Sequence, residues 1–263
     1  MEEVLSRLPV WLTGLMVGAT VVRLATAIIG VVFYGRRASI RREAERTVAI
    51  WIMSALLTVW VVVVLVLGRN AYFRVDESTL PPPPIAVAAV LSLLVGYGLF
   101  LLWAPFRRIV LSIPLHWMIG MQFLRVTGGA FLVLYWQGLL PGVFGIPAGV
   151  GDLVTGTLAV PVAYFYYKRT SWAHRAALIW CYVGLAELLM LIPLGLLTSP
   201  SPIQQLAFDA PNYVTTNWPM VLAPTFHVPI GILMHLFTFA MLQRERQALA
   251  SPAYQGMSTS PAR

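Results

Sequence analysis

The sequence is poor in charge. Only 11% of its 263 residues are Asp, Glu, Lys or Arg, whereas charged residues make up roughly a quarter of a typical soluble protein. Apolar residues reach 59%, and the mean hydropathy is +0.77. This composition excludes an ordinary water-soluble domain and predicts a chain that lies mostly in lipid.

Cysteine is almost absent, and acidic residues are outnumbered. The one cysteine, Cys181, lies in an apolar run, so it excludes an internal disulfide and is interpreted as a packing residue. The formal charge is +8, but the arginines form short clusters between apolar runs rather than a continuous basic stripe. That distribution excludes a nucleic-acid partner and is typical of membrane topology signals.

Long apolar stretches are the main feature that is present. A helix needs about 20 apolar residues to cross the hydrocarbon layer of a membrane, and seven stretches meet this requirement. They cover 9–34, 47–67, 85–104, 114–137, 147–167, 176–197 and 219–242. We therefore predict an all-α, polytopic bundle of about seven transmembrane helices, with the lipid bilayer as its main partner.

Loop arginines predict the orientation of this bundle. Lysine and arginine are retained on the cytoplasmic side of a membrane. Thirteen such residues fall at one end: Arg36, Arg37, Arg41, Arg42, Arg46, Arg107, Arg108, Lys168, Arg169, Arg175, Arg244, Arg246 and Arg263. Only Arg7, Arg69 and Arg74 fall at the other end. The amino terminus is therefore predicted outside and the carboxyl terminus in the cytoplasm, as in a multi-pass protein of the bacterial inner membrane.

The two termini give further expectations. The chain begins with Glu2 and Glu3 rather than with a basic stretch, so we expect the first helix to be retained rather than cleaved. Residues 1–250 are predicted to form a single transmembrane domain. The small and polar residues 251–263 are predicted to be a disordered cytoplasmic tail.

Few ionisable residues lie inside the apolar stretches. The charged ones are Arg23, Arg125, Asp152 and Glu187, and His227 lies at a similar depth. Four unpaired charges at the centre of a membrane would cost roughly 10–14 kcal/mol in total. Because two arginines and two carboxylates sum to zero, we expect them to compensate one another inside the bundle. These five residues are the candidates for substrate binding or proton relay.

Glycine and proline mark the fifth predicted helix. Gly145, Gly149, Asp152 and Gly156 recur at helical spacing, which predicts a face of small residues that packs closely on a neighbour. The run from Pro147 to Asp152 predicts an irregular start to the helix, with Gly149, Gly151 and Gly156 lining a cavity. Prolines in the sixth and seventh helices, Pro193, Pro224 and Pro229, are expected to loosen those helices.

Three functions remain open at this stage. The first is binding or translocation of a small solute or of protons, because buried ionisable residues mark such pathways. The second is an intramembrane enzyme that uses Asp152 and Glu187 as acid and base on a lipid or isoprenoid. The third is a b-type haem protein with His116 and His235 as ligands.

Several other properties stay undetermined or are excluded. A retinal protein is excluded because the only lysine, Lys168, lies at the end of the fifth helix and not inside the seventh. We predict no metal site. The cofactor, the substrate and the oligomeric state are not determined by the sequence.

Overall fold

Seven long helices make up most of the computed structural model, which describes residues 1–250. The chain is 75% helical, with no strand in that range. In chain order the helices are α1 (Val10–Gly35), α2 (Glu43–Arg69), α3 (Pro84–Leu102), α4 (Leu115–Trp136), α5 (Gly142–Tyr167), α6 (Ala173–Thr198) and α7 (Ala223–Gln247). Each is long and apolar enough to cross a membrane, so the predicted number is confirmed. Every predicted boundary lies within five residues of the observed one.

The connections define two ends of the bundle. The basic end contains residues 36–42, a linker helix (Ala104–Ser112) between α3 and α4, and residues 168–172. The long-loop end contains residues 70–83, 137–141 and 199–222, together with a short amino-terminal helix (Glu2–Ser6). The predicted disordered tail, 251–263, lies outside the described residues.

The last helix is the centre of the bundle. In its most apolar stretch, 72% of the α7 residues are buried, compared with 17% in α3 and at most 39% in the other helices. Helix α7 packs against α3, α4 and α6, while α5 packs against α4 and α6. Helices α1 and α2 pack against each other. Residues on α7 are therefore shielded from lipid by neighbouring helices.

Helix α5 corrects one prediction and supports another. It is a continuous α-helix from Gly142, with Pro147 inside it, so the predicted irregular start at 147–152 is wrong. Pro147 lies in the second turn, where its missing N–H costs only the bond to the Val143 carbonyl. The small-residue face does pack closely: a Cβ on Gly149 would lie 2.5 Å from Leu132 Cγ, and one on Gly156 would lie 2.8 Å from the Val126 backbone nitrogen.

The irregular backbone lies in α4 and α7 instead. The middle of α4, Met121–Gly129, is a 3₁₀-helix, and α7 opens with a π-helical turn, Ala223–His227. Pro229 cannot donate a hydrogen bond to the Thr225 carbonyl four residues earlier. The indole N–H of Trp60 on α2 donates to that carbonyl instead, at 3.2 Å. The predicted loosening of α7 is thus present and is stabilised by a neighbouring helix.

The connection between α6 and α7 folds inward at the long-loop end. Most residues from Asn212 to Leu222 are buried, including the side chains of Asn212, Thr215 and Asn217. The Asn217 amide donates to the Tyr213 carbonyl at 2.8 Å, and Arg74 Nε donates to Asn217 Oδ1 at 3.0 Å. This segment therefore covers the long-loop end of the bundle, where α7 starts.

Candidate functional site: a buried charge network

Arg125 lies at the centre of a buried polar cluster. It occupies the 3₁₀ segment of α4 and is only 4% exposed. Its Nε–H donates to Asp152 Oδ1 on α5 at 2.7 Å, and its Nη2–H donates to Glu187 Oε2 on α6. The structure thus joins three of the predicted site residues through a single guanidinium.

The remaining nitrogen of Arg125 points toward α6 and α7. Its Nη1–H groups face the Gly184 carbonyl at 3.4 Å and His235 Nε2 at 3.3 Å. Arginine only donates hydrogen bonds, so the facing His235 nitrogen must be unprotonated and the ring neutral. The other ring nitrogen, Nδ1, then carries the proton, and it is buried with no partner among the described residues.

Three glycines make room for the partners of Arg125. A Cβ on Gly128 would lie 2.0 Å from Asp152 Oδ2, and one on Gly151 would lie 2.4 Å from Glu187 Cγ. A Cβ on Gly184 would lie 2.6 Å from His235 Nε2. Such distances are far below van der Waals contact, so each polar side chain fits only because the facing residue is glycine.

Arg23 belongs to a second, smaller cluster. Its Nη1–H donates to His227 Nδ1 at 2.5 Å, and His227 Nε2 lies 2.8 Å from Thr20 Oγ1. Since arginine must donate to Nδ1, the histidine carries its proton on Nε2, and this N–H donates a hydrogen bond to Thr20 Oγ1. Thr20 donates in turn to the Met16 carbonyl at 2.8 Å. Within residues 1–250, no carboxylate is in ion-pair distance of Arg23.

A small cavity separates the two clusters. It has a volume of about 30 Å³ and is lined by Arg23 from α1, Arg125 and Gly128 from α4, Asp152 from α5 and His227 from α7. Arg23 and Asp152 therefore face each other across the cavity without direct contact. With both carboxylates ionised, the Arg125 cluster has a formal charge of −1 and the Arg23 cluster +1, so the whole set is neutral.

The glycines predicted to line a cavity make close contacts. None of Gly149, Gly151 and Gly156 borders the cavity between the two clusters. Gly149 and Gly156 face α4, and Gly151 faces Glu187. These contacts support a packing role, since glycine allows close packing as readily as it leaves open space.

The two histidines proposed as haem ligands have different neighbours. His235 Nε2 faces Arg125, whereas His116 lies nine residues before Arg125 on the same helix and packs against Tyr167. Nine residues of helix correspond to at least about 13 Å along the helix axis. This arrangement does not favour ligation of one haem by both rings, which stays a prediction.

Sequence reasoning missed several residues of the site. Thr20 lies three residues before Arg23, on the same helical face, so helical spacing could have identified it. Gly184 and Trp60 could not be found in this way, because their roles depend on which helices become neighbours. The covering segment Asn212–Leu222 carries no periodic pattern, and nothing in its sequence indicates that it folds inward.

Comparison with known proteins identifies a family without an assigned function. Residues 82–243 match the model of a family described as a domain of unknown function, DUF8737, which covers more than half of the chain. The matched region contains α3 to α6 and most of α7, with Arg125, Asp152, Glu187 and both α7 histidines, whereas Arg23 precedes it. No curated protein and no solved structure matches the chain. The chain belongs to the DUF8737 family.

Proposed function

We propose that this protein binds and transfers protons at the cavity between α1, α4, α5 and α7. The observation that carries the proposal is the convergence of Arg23, Arg125, Asp152 and His227 from four helices onto a space of about 30 Å³. Since a water molecule needs roughly 10–15 Å³, the cavity has room for about two waters. That size favours water and protons over an organic solute.

The sharing of Arg125 between two carboxylates suggests how proton binding is coupled to structure. A proton from cavity water that binds Asp152 removes its charge, and Glu187 alone then holds the guanidinium. The second oxygen of Glu187, Oε1, is buried without a partner among the described residues, so it is free to accept a proton. Protonation of either carboxylate moves Arg125 toward the other, which links α4, α5 and α6 to the protonation state.

Liposomes with an entrapped pH-sensitive dye test this proposal. The purified protein is reconstituted, a pH gradient is imposed, and its decay is followed with a potassium ionophore present to remove membrane potential. We expect faster decay than in empty liposomes. Asp152→Asn and Glu187→Gln should each slow the decay, because both keep the shape of the side chain while removing its titratable proton.

The matched control is Asp209→Asn, which removes an exposed carboxylate from the α6–α7 connection. Liposomes that contain this variant should lose the pH gradient at the same rate as liposomes with the unmodified protein. Decay equal to that of empty liposomes, or decay that does not respond to Asp152→Asn and Glu187→Gln in correctly folded protein, would contradict proton transfer at this site.

The orientation is part of the same proposal, and so is a location in the bacterial inner membrane. The excess of arginine at the basic end supports a cytoplasmic position for that end. Reporters fused after Arg42, Arg108, Lys168 and Gln243 should report cytoplasm. Fusions after Arg74, Gly142 and Asp209 should report the outside, and a single internal reversal would contradict this topology.

A second candidate is acid–base chemistry on an apolar substrate. A separate cavity of about 70 Å³, lined mainly by apolar side chains, shares Phe131, Ala223 and Val228 with the charged cavity. An amphiphile would place its polar group near Asp152 and its apolar part between α3, α6 and α7. Filling the apolar cavity with Gly195→Leu separates the candidates: it should abolish turnover of an amphiphile and leave proton transfer unchanged.

A further inference from the structure

A groove opens between α2 and α3, separate from the cavity of the charge network. Helix α2 packs mainly on α1, and α3 packs mainly on α7, so the two helices diverge. The space between them has a volume of about 690 Å³. It extends from Pro84 at the long-loop end to Phe106 and Val110 of the linker helix at the basic end.

The lining of this groove suits a hydrocarbon chain. Among residues 1–250 no charged side chain lines it, and its floor is formed by apolar residues of α7 such as Leu233 and Phe237. Two of its polar side chains are already bonded: the Ser92 hydroxyl donates to the Ala88 carbonyl at 2.9 Å, and the Trp60 indole donates to the Thr225 carbonyl. A ligand therefore gains little from polar groups along the groove.

The basic end of the groove adds charge complementarity. The linker helix carries Arg107 and Arg108 directly beside the lining residue Phe106. Arg108 Nη1 donates to the Ser39 carbonyl at 3.2 Å, which joins this helix to the arginine-rich segment 36–42. Arg107 donates to the Leu101 carbonyl at 2.9 Å, which uses one of its five N–H donors. The end of an apolar groove is thus bordered by a positively charged surface.

We propose that this groove binds an anionic phospholipid, with one acyl chain between α2 and α3 and the headgroup phosphate at Arg107 and Arg108. The proposal does not depend on proton transfer at the charge network, because the two sites share no lining residue. A phosphate is negatively charged and accepts hydrogen bonds, and a guanidinium provides both the opposite charge and the donors.

Native mass spectrometry of delipidated protein tests this inference. Phosphatidylglycerol and phosphatidylcholine with identical chains are titrated separately. We expect the first phosphatidylglycerol to bind roughly tenfold more tightly, because its headgroup has a net negative charge whereas the choline cation of phosphatidylcholine offsets the phosphate. Arg107→Gln should weaken phosphatidylglycerol about fivefold, as for the loss of one arginine near a charged lipid, and phosphatidylcholine less. The matched control, Arg169→Gln, removes an arginine at the same end but away from the groove and should have no effect.

Bulky substitutions test the position of the chain. Val59→Trp and Val95→Trp place an indole in the groove and should reduce the bound lipid, whereas Val62→Trp and Val90→Trp are exposed on the same helices outside the groove and should not. A phosphatidylglycerol with a photoreactive chain should label α2, α3 and α7 in the unmodified protein. Equal affinity for both lipids, labelling elsewhere, or a dimer that Val59→Trp dissociates would overturn the proposal.

Discussion

The two buried arginines occupy similar depths but have different partners. Counted along their helices from the long-loop end, Arg23 lies at about 20 Å and Arg125 at about 16 Å. Arg125 binds two carboxylates, a carbonyl and a histidine, whereas the only side-chain partner of Arg23 among the described residues is the neutral His227. Arg125 thus holds α5 and α6 against α4 through ion pairs, whereas Arg23 has guanidinium donors beside the cavity that are available to water.

Loss of Arg125 should have the largest effect. Arg125→Leu leaves two carboxylates buried without a cation, and breaking a buried ion pair costs roughly 3–5 kcal/mol. Arg23→Leu removes a hydrogen bond to a neutral ring and a cation that no carboxylate contacts directly, for which about 1–3 kcal/mol is expected. Thermal or denaturant unfolding in detergent measures both variants. Equal losses would show that the two arginines are structurally equivalent, contrary to the comparison.

Compensating substitutions should recover part of the loss. Arg125→Leu combined with Asp152→Leu leaves one carboxylate instead of two, and so does Arg125→Leu with Glu187→Leu. The remaining carboxylate is then balanced in charge by Arg23. Each double variant should therefore be more stable than Arg125→Leu alone. If a double variant is stable but loses proton transfer, the network serves function. If it is stable and fully active, the network is architectural.

The sequence predicted the composition of this network but not its connections. Arg125, Asp152 and Glu187 were identified because charge inside an apolar stretch is costly, and their cancelling charges indicated pairing. Helical spacing shows which residues share a face. It does not show which neighbour a face meets, so the sharing of Arg125 by both carboxylates, and the pairing of Arg23 with His227, were not predictable.

Glycine and proline were the least predictable residues. The run at Pro147 predicts an irregular helix start, yet Pro147 lies within a continuous helix. Pro229 leaves the Thr225 carbonyl of α7 without its helical donor, and Trp60 is positioned to donate to that carbonyl. The same residue type thus has different effects in two helices. A partner on another helix decides which effect occurs, and single-sequence patterns do not contain that information.

Gly128 tests whether the Arg125 cluster depends on its close packing. Gly128→Ala introduces a Cβ that would lie 2.0 Å from Asp152 Oδ2, so Asp152 must move away from Arg125. Overpacking of this kind costs about 1–3 kcal/mol. The control is Gly98→Ala on α3, where a Cβ meets nothing within 4 Å. Stability of Gly128→Ala equal to that of Gly98→Ala would mean that the contact is relieved without cost.

The smallest effect is expected at the edge of the Arg23 cluster, where Thr20 Oγ1 accepts a hydrogen bond from the Nε2–H of His227. Thr20→Val keeps the shape but leaves that N–H unpaired, for which about 1 kcal/mol is expected, less if cavity water replaces the hydroxyl. The matched control is Thr26→Val on the same helix, whose hydroxyl bonds only to carbonyls of α1. A double-mutant cycle with His227→Phe isolates the contact, since the cost of Thr20→Val should disappear once the imidazole is gone. A cost that persists in the His227→Phe background would assign it to packing and would leave the Arg23 cluster without the hydrogen-bond chain that distinguishes it from the Arg125 cluster.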